Sequence, residues 1–130
     1  NVEILASIDA VEELGEYIRT GSKWIAILAN HQKIKHLPNI TFKISPTISV
    51  LNMAHLPDLI KECVKQDMID FEGLYINILE RPIHYNVQIF PNEQKQTIDN
   101  ELNRFINELR INHSSTKMVL QIQECIDYMW

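Results

Sequence analysis

Three apolar, β-branched runs, at 2–8, 40–44 and 74–79, are separated by stretches with helical periodicity. This alternation constrains the chain more than any other feature. Strand–helix–strand units lay successive strands side by side, parallel, with right-handed crossovers. The first run is apolar enough for a central strand, is broken only by Glu3 and is closed by Asp9. In the second, Ile40, Phe42 and Ile44 alternate with Thr41 and Lys43, the pattern of a strand buried on one side. Pro46 interrupts it, and 47–51 resumes extended character. The third run follows Gly73 and is apolar almost throughout.

The intervening segments supply the helices. Residues 11–21 read as a polar loop or short helix. Over 24–37, Trp24, Ile27, Leu28 and Ile34 fall on one side, and Pro38 stops the helix. Leu56-Pro57-Asp58 opens another, since proline suits the first helical position and an acid suits the positive end of the dipole. Its apolar face is Leu56, Leu59, Ile60, Cys63, Val64 and Met68. Residues 80–91 look irregular, with a short strand expected at 87–90. Asn92 is expected to cap a long helix carrying Ile98, Leu102, Phe105, Ile106 and Leu109. A turn at 112–115 then leads to a closing helix over 116–130 with Met118, Val119, Ile122, Ile126 and Met129. The expected fold is α/β, with three or four mostly parallel strands, their helices on one outer face, and C-terminal helices. Residues 1–91 and 92–130 form one continuous unit without linker or repeat. A core strand that starts at the second residue with no lead-in leads us to expect more chain upstream.

Composition removes several classes of function. The chain has 130 residues, 45% hydrophobic and 22% charged, enough for one domain with one core. With only 3 Gly and 5 Pro it is neither disordered nor collagen-like. No apolar run approaches the ~20 residues of a membrane span. A net charge of -5 argues against nucleic acid as partner. Two cysteines, Cys63 and Cys125, are too few for a disulfide scaffold. With no secretory signal, the expected location is cytoplasmic.

Parallel βα architectures bind ligands where the strands end at their carboxyl edges. The candidates there are Ser7, Asp9 and the following loop, residues 45–52, and residues 77–80. A serine and an aspartate at a strand end can hydrogen-bond ribose hydroxyls or an amine, and Arg19 can fork onto a carboxylate or phosphate. Equally, Asp9 can cap the next helix and Arg19 can be a solvated surface charge. Asn77 sits within an apolar strand, where it either points into a ligand cavity or ties down the 80–85 loop. His84, Tyr85 and Asn86 can face a ligand from the same rim, or simply order their loop. His31, His36, His55, His84 and His113 show no metal-ligand spacing, and no C-x-x-C or H-E-x-x-H is present. Cys63 lies on an apolar helix face and reads as a small buried hydrophobe, whereas Cys125 stays ambiguous. The glycines at 15, 21 and 73 stand alone, so there is no phosphate loop.

Ser7-Ile8-Asp9-Ala10, then Glu16-Tyr17-Ile18-Arg19 and a Gly21-Ser22-Lys23-Trp24 that opens a helix, resembles the fourth strand and following loop of radical S-adenosylmethionine (SAM) enzymes. Ala10 departs from the glycine usual there. Residues 46–52 with Leu56-Pro57-Asp58-Leu59 resemble their fifth strand and helix, and 74–91 their sixth strand and trailing loop. The likeness spans about residues 2–100, and its nearest flavour is the twitch-domain branch. The resemblance implies the second half of a (βα)6 partial TIM barrel. It implies that Ser7 and Asp9 approach the ribose or methionyl part of SAM, Arg19 its carboxylate, and Ser49 and Asn52 the adenosine. Asn77 and Tyr85 would border the cavity for a small-molecule or peptide substrate. The family's C-x-x-x-C-x-x-C loop, which holds a [4Fe–4S] cluster, is missing from this sequence. SAM and cluster would therefore belong to a parent protein, with neither expected on this chain, which would be inactive alone. The competing expectation is a stand-alone, non-catalytic α/β binding or oligomerisation module. Under either, an unpaired edge on the first strand predicts a homo-oligomer in isolation.

Overall fold

A computed structural model describes residues 1–113 and 116–130. Strand β1 (Val2–Ala6) leads through helix α1 (Glu12–Ile18) to helix α2 (Trp24–Ile34) and strand β2 (Ile40–Ile44). A short strand β3 (Thr47–Ile48), helix α3 (Leu56–Lys65) and strand β4 (Asn77–Ile78) follow. Helices α4 (Asn92–Asn112) and α5 (Thr116–Met129) close the chain. The fold is thus mixed α/β with short parallel strands, and the strands do not close into a barrel.

β1 pairs in parallel with β2, Val2 opposite Ile40 and Ala6 opposite Ile44, and β3 pairs in parallel with β4. Two small sheets appear where one three-stranded sheet was expected, and Pro46 is the reason. Ile44 N–H donates to Gly73 O and Ile44 O accepts from Tyr75 N–H, each at 2.9 Å. Two residues on, the next donor in this ladder would be the nitrogen of Pro46, which carries no hydrogen. Pairing resumes beyond it, with Asn77 N–H donating to Pro46 O and Leu79 N–H to Ile48 O. The run at 74–79 therefore follows the central strand along its whole length, with one rung missing.

The sheet has a covered and a bare face. Phe42, Ile44, Ile48, Leu74, Ile76 and Ile78 point into a single core shared with Leu56, Leu59, Ile60 and Cys63 of α3 and the inner faces of α4 and α5. On the opposite face Glu3, Leu5, Ser7, Thr41 and Asn77 are exposed. There Lys43 Nζ lies 2.7 Å from Glu3 Oε2 and donates to Tyr75 Oη at 3.4 Å. The two outer edges differ as well. Just ahead of β4, the Gln121 carboxamide of α5 accepts from Ile76 N–H and donates to Leu74 O, both at 2.9 Å, so that it stands in for a neighbouring strand there. β1 pairs with β2 alone.

Some local expectations need correction. Residues 87–90 form a 3-10 turn (Val87–Ile89), because the Asn86 side chain accepts from Gln88 N–H and winds the backbone inward. Asn92 does not cap α4; Pro91 holds that position, with no side-chain cap. α2 ends at Ile34, before Pro38, and the chain then leaves the helix through turns. Of the turn expected at 112–115, Asn112 belongs to α4, and residues 114 and 115 lie outside the described residues. Among the described residues no helix is long and apolar enough to cross a membrane.

Candidate functional site

The carboxyl ends of β1 and β3 are locked together by Asp9 and Asn52. Asp9 Oδ1 accepts from Thr47 N–H at 2.8 Å, and Asp9 Oδ2 accepts from Arg19 Nε–H at 2.6 Å. Asn52 Nδ2 donates to Asp9 O at 2.9 Å and to Thr47 O at 3.0 Å, while its Oδ1 accepts from Ser49 N–H at 2.8 Å. Ser49 Oγ then accepts from Leu51 N–H, closing the 49–52 turn. Five backbone groups freed where the strands run out, Asp9 O, Thr47 N–H and O, Ser49 N–H and Leu51 N–H, thus find side-chain partners. Asp9 does not cap α1, whose preceding residue Val11 has no side-chain cap bond. Nor is Arg19 an unattached surface charge.

Above this knot lies a cleft of about 420 Å³ lined by Asp9, Tyr17, Arg19, Ser49, Leu51 and Tyr85, among others. α1 forms one bank. It can approach because Gly15 has no side chain: a Cβ there would sit 2.3 Å from Ala10 O. The 3-10 turn Ile83–Tyr85 forms the other bank, held by Val50 N–H donating to Tyr85 O at 2.9 Å. Asn86, buried, braces that turn by donating to Glu80 O and to Tyr128 Oη. With Nε committed to Asp9, the guanidinium of Arg19 is fixed in orientation. Its side chain is 45% exposed, and a guanidinium bonded through Nε keeps two further nitrogens able to donate to an anion.

Of the residues singled out in the sequence, Asp9, Arg19, Ser49 and Tyr85 come together in this cleft. Asn52 lies beneath it at 1% exposure, as a brace out of reach of any ligand. Ser7 is exposed on the bare face and borders only a crevice of about 10 Å³ against α1. Asn77 is exposed too. Its amide donates to Ser45 Oγ at 2.9 Å, and it does not line this cleft. Tyr17, on α1, and Thr47 also line the cleft; both fall within segments the sequence offered as candidates, but neither was singled out there.

The remaining chemistry is quiet. Cys63 and Cys125 are both free and buried, and burial pushes each thiol up to about 12, so neither is poised as a nucleophile or ligand. Cys125 therefore joins Cys63 as a small core residue. Among the described residues no group of three or more His, Cys, Asp or Glu can hold a metal ion. His31, which shares its helix face with Trp24, is buried with Nδ1 unpartnered, its ring edge-on to Phe42 at 4.8 Å. Tyr75 lies between Lys43 and Lys117, whose ammonium groups hold its phenol below the ordinary range. Comparison with protein-family models, with curated proteins and with solved structures finds no match to this chain.

Proposed function

We propose that this chain is the carboxyl-terminal half of a radical SAM-type partial barrel and forms one wall of its SAM and substrate cavity. The observation that carries the reading is the cleft at the strand ends, where the half-exposed Arg19 is held through Nε by Asp9. Three consecutive strand segments lie parallel in chain order, with helices on one face, as the later half of such a barrel requires. In this reading Arg19 pairs with the ligand carboxylate, and Asp9 is a positioning residue. Ser49 and the ring of Tyr85 flank the rest of the ligand. The bare sheet face becomes part of the lumen, and the exposed Asn77 borders the substrate. The residues present do not fit a [4Fe–4S] cluster, since both thiols are buried in the core. The chain's contribution is to bind, orient and exclude water, and the redox chemistry belongs to a cluster-bearing partner segment. A stand-alone binding or oligomerisation module is the second reading, favoured by the unpaired edge of β1.

The test is a titration of the isotopically labelled chain with SAM, followed by amide chemical shifts. Shifts should concentrate at Arg19, Thr47, Ser49 and Tyr85, and Arg19→Ala should weaken binding about tenfold, the loss expected for a charge-assisted pair. Free methionine should reproduce the shifts near Arg19, and adenosine should not. No shifts at millimolar SAM, or equal shifts in Arg19→Ala, would discard the SAM reading.

A further inference from the structure

The two outer edges of the sheet are treated differently, and the difference points to a partner. Gln121 occupies the outward Leu74 carbonyl and Ile76 N–H on the segment leading into β4. On β1, Val2 N–H donates to Asn39 O and Ala6 O accepts from Ser45 N–H, so the even-numbered residues face β2. Alternation along a parallel ladder turns the backbone groups of Glu3 and Leu5 the other way, to solvent. Proteins commonly guard such an edge with a lysine, a proline or a bulge. Here the only charge is Glu3, already 2.7 Å from Lys43 of its own sheet, while Leu5 is 50% exposed and Val2 59%.

We infer that β1 pairs antiparallel with β1 of a second copy about a two-fold axis at Leu5. The register follows from what would face what. Outward-facing residues must oppose outward-facing residues, which leaves few registers. A two-fold at Glu3 sets two carboxylates opposite each other. One at Ile4 sets Glu3 against the partner's Leu5. Centred on Leu5, the half-exposed leucines meet each other, and each Glu3 carboxylate lies beside the Ser7 hydroxyl of the other copy, just past the strand end. Charge and polarity are matched only there. The inference uses the edge alone and stands apart from the SAM reading.

Light scattering on the chain should give about twice its 15.2 kDa, falling to the monomer on dilution. Leu5→Pro should yield a monomer, and Leu5→Lys should do the same without proline's effect on the backbone. Both should keep the parent's far-ultraviolet circular dichroism. The native thiols are buried, so introduced cysteines report the register. Leu5→Cys should cross-link to itself under mild oxidation, since opposed Cα atoms in such a pair are about 5.5 Å apart. Ser7→Cys alone should not, and a mixture of Glu3→Cys and Ser7→Cys should form the heterodisulfide. A monomer at millimolar concentration overturns the inference. So does a folded Leu5→Lys dimer, or cross-linking of Ser7→Cys to itself in place of Leu5→Cys. An edge reserved for a different polypeptide strand would appear as the first of these outcomes.

Discussion

Asn52 places its carboxamide at the meeting point of β1, β3 and the 49–52 turn, with all three of its described hydrogen bonds going to backbone. Losing it leaves Asp9 O, Thr47 O and Ser49 N–H without this partner, the first and last of them at buried bonds. Asn52→Leu should cost about 3 kcal/mol, the scale of stranding more than one buried polar group, read from the urea midpoint. A loss below about 0.5 kcal/mol, the usual range for a surface substitution, would show that the strand ends do not depend on this knot. The resemblance set Asn52 beside the adenosine, and the residue type alone does not tell a side chain that touches a ligand from one that braces the loop beneath it. Only burial separates the two. Asp9 and Arg19 were legible as a pair of functional types at a strand end, but their mutual bond was not, since nine intervening residues leave the direction of both side chains open.

Between elements, the decisive contact is one α5 side chain acting as a strand. Gln121→Ala removes both of its bonds to the β4 edge and should destabilise the chain by about 2 kcal/mol. The amide of Ile76 should then exchange with solvent much faster in hydrogen–deuterium exchange, while amides of β2 facing β1 keep their protection. Uniform acceleration would mean that Gln121 supports the whole core and not the edge. Helix α3 was readable from its start, because Leu56, Leu59, Ile60 and Cys63 fit one helical face and are all buried, but it ends at Lys65, short of the Met68 that the sequence placed on the same face. The 87–90 segment was misread, since a four-residue apolar run carries no usable period and Asn86 dictates the turn. Pro46 announced the break in the central strand, but not that pairing would continue past it.

For the molecule as a whole, His31 ties stability to pH. Burial holds its imidazole below the ordinary 6.5, Lys35 lowers it further, and Asp67 opposes them. A group whose folded value lies below its unfolded one binds its proton more readily when unfolded. Stability should be level above about pH 6.5, the unfolded value, and decline as pH falls from there through the folded value. Chemical denaturation from pH 8 to 5 measures this, and His31→Leu should flatten that part of the profile. An unchanged slope in the variant would assign the effect to another group. The bare face of the sheet was foreseen only as an edge problem. Its Glu3, Lys43 and Tyr75 cluster shows that the open side is built for water, which the alternation of Thr41 and Lys43 with apolar neighbours had already implied for the central strand.

The amide of Gln121 also sets a limit on assembly. A sheet with two open edges behaves as a bifunctional monomer and can add copies without end, the route to fibres. With Leu74 and Ile76 just ahead of β4 engaged by its own helix, that edge offers an incoming strand an interrupted ladder, and a two-fold contact through β1 consumes the edge left open along its length. Growth then stops at the pair, and freeing the β4 edge would turn a terminating unit into a propagating one.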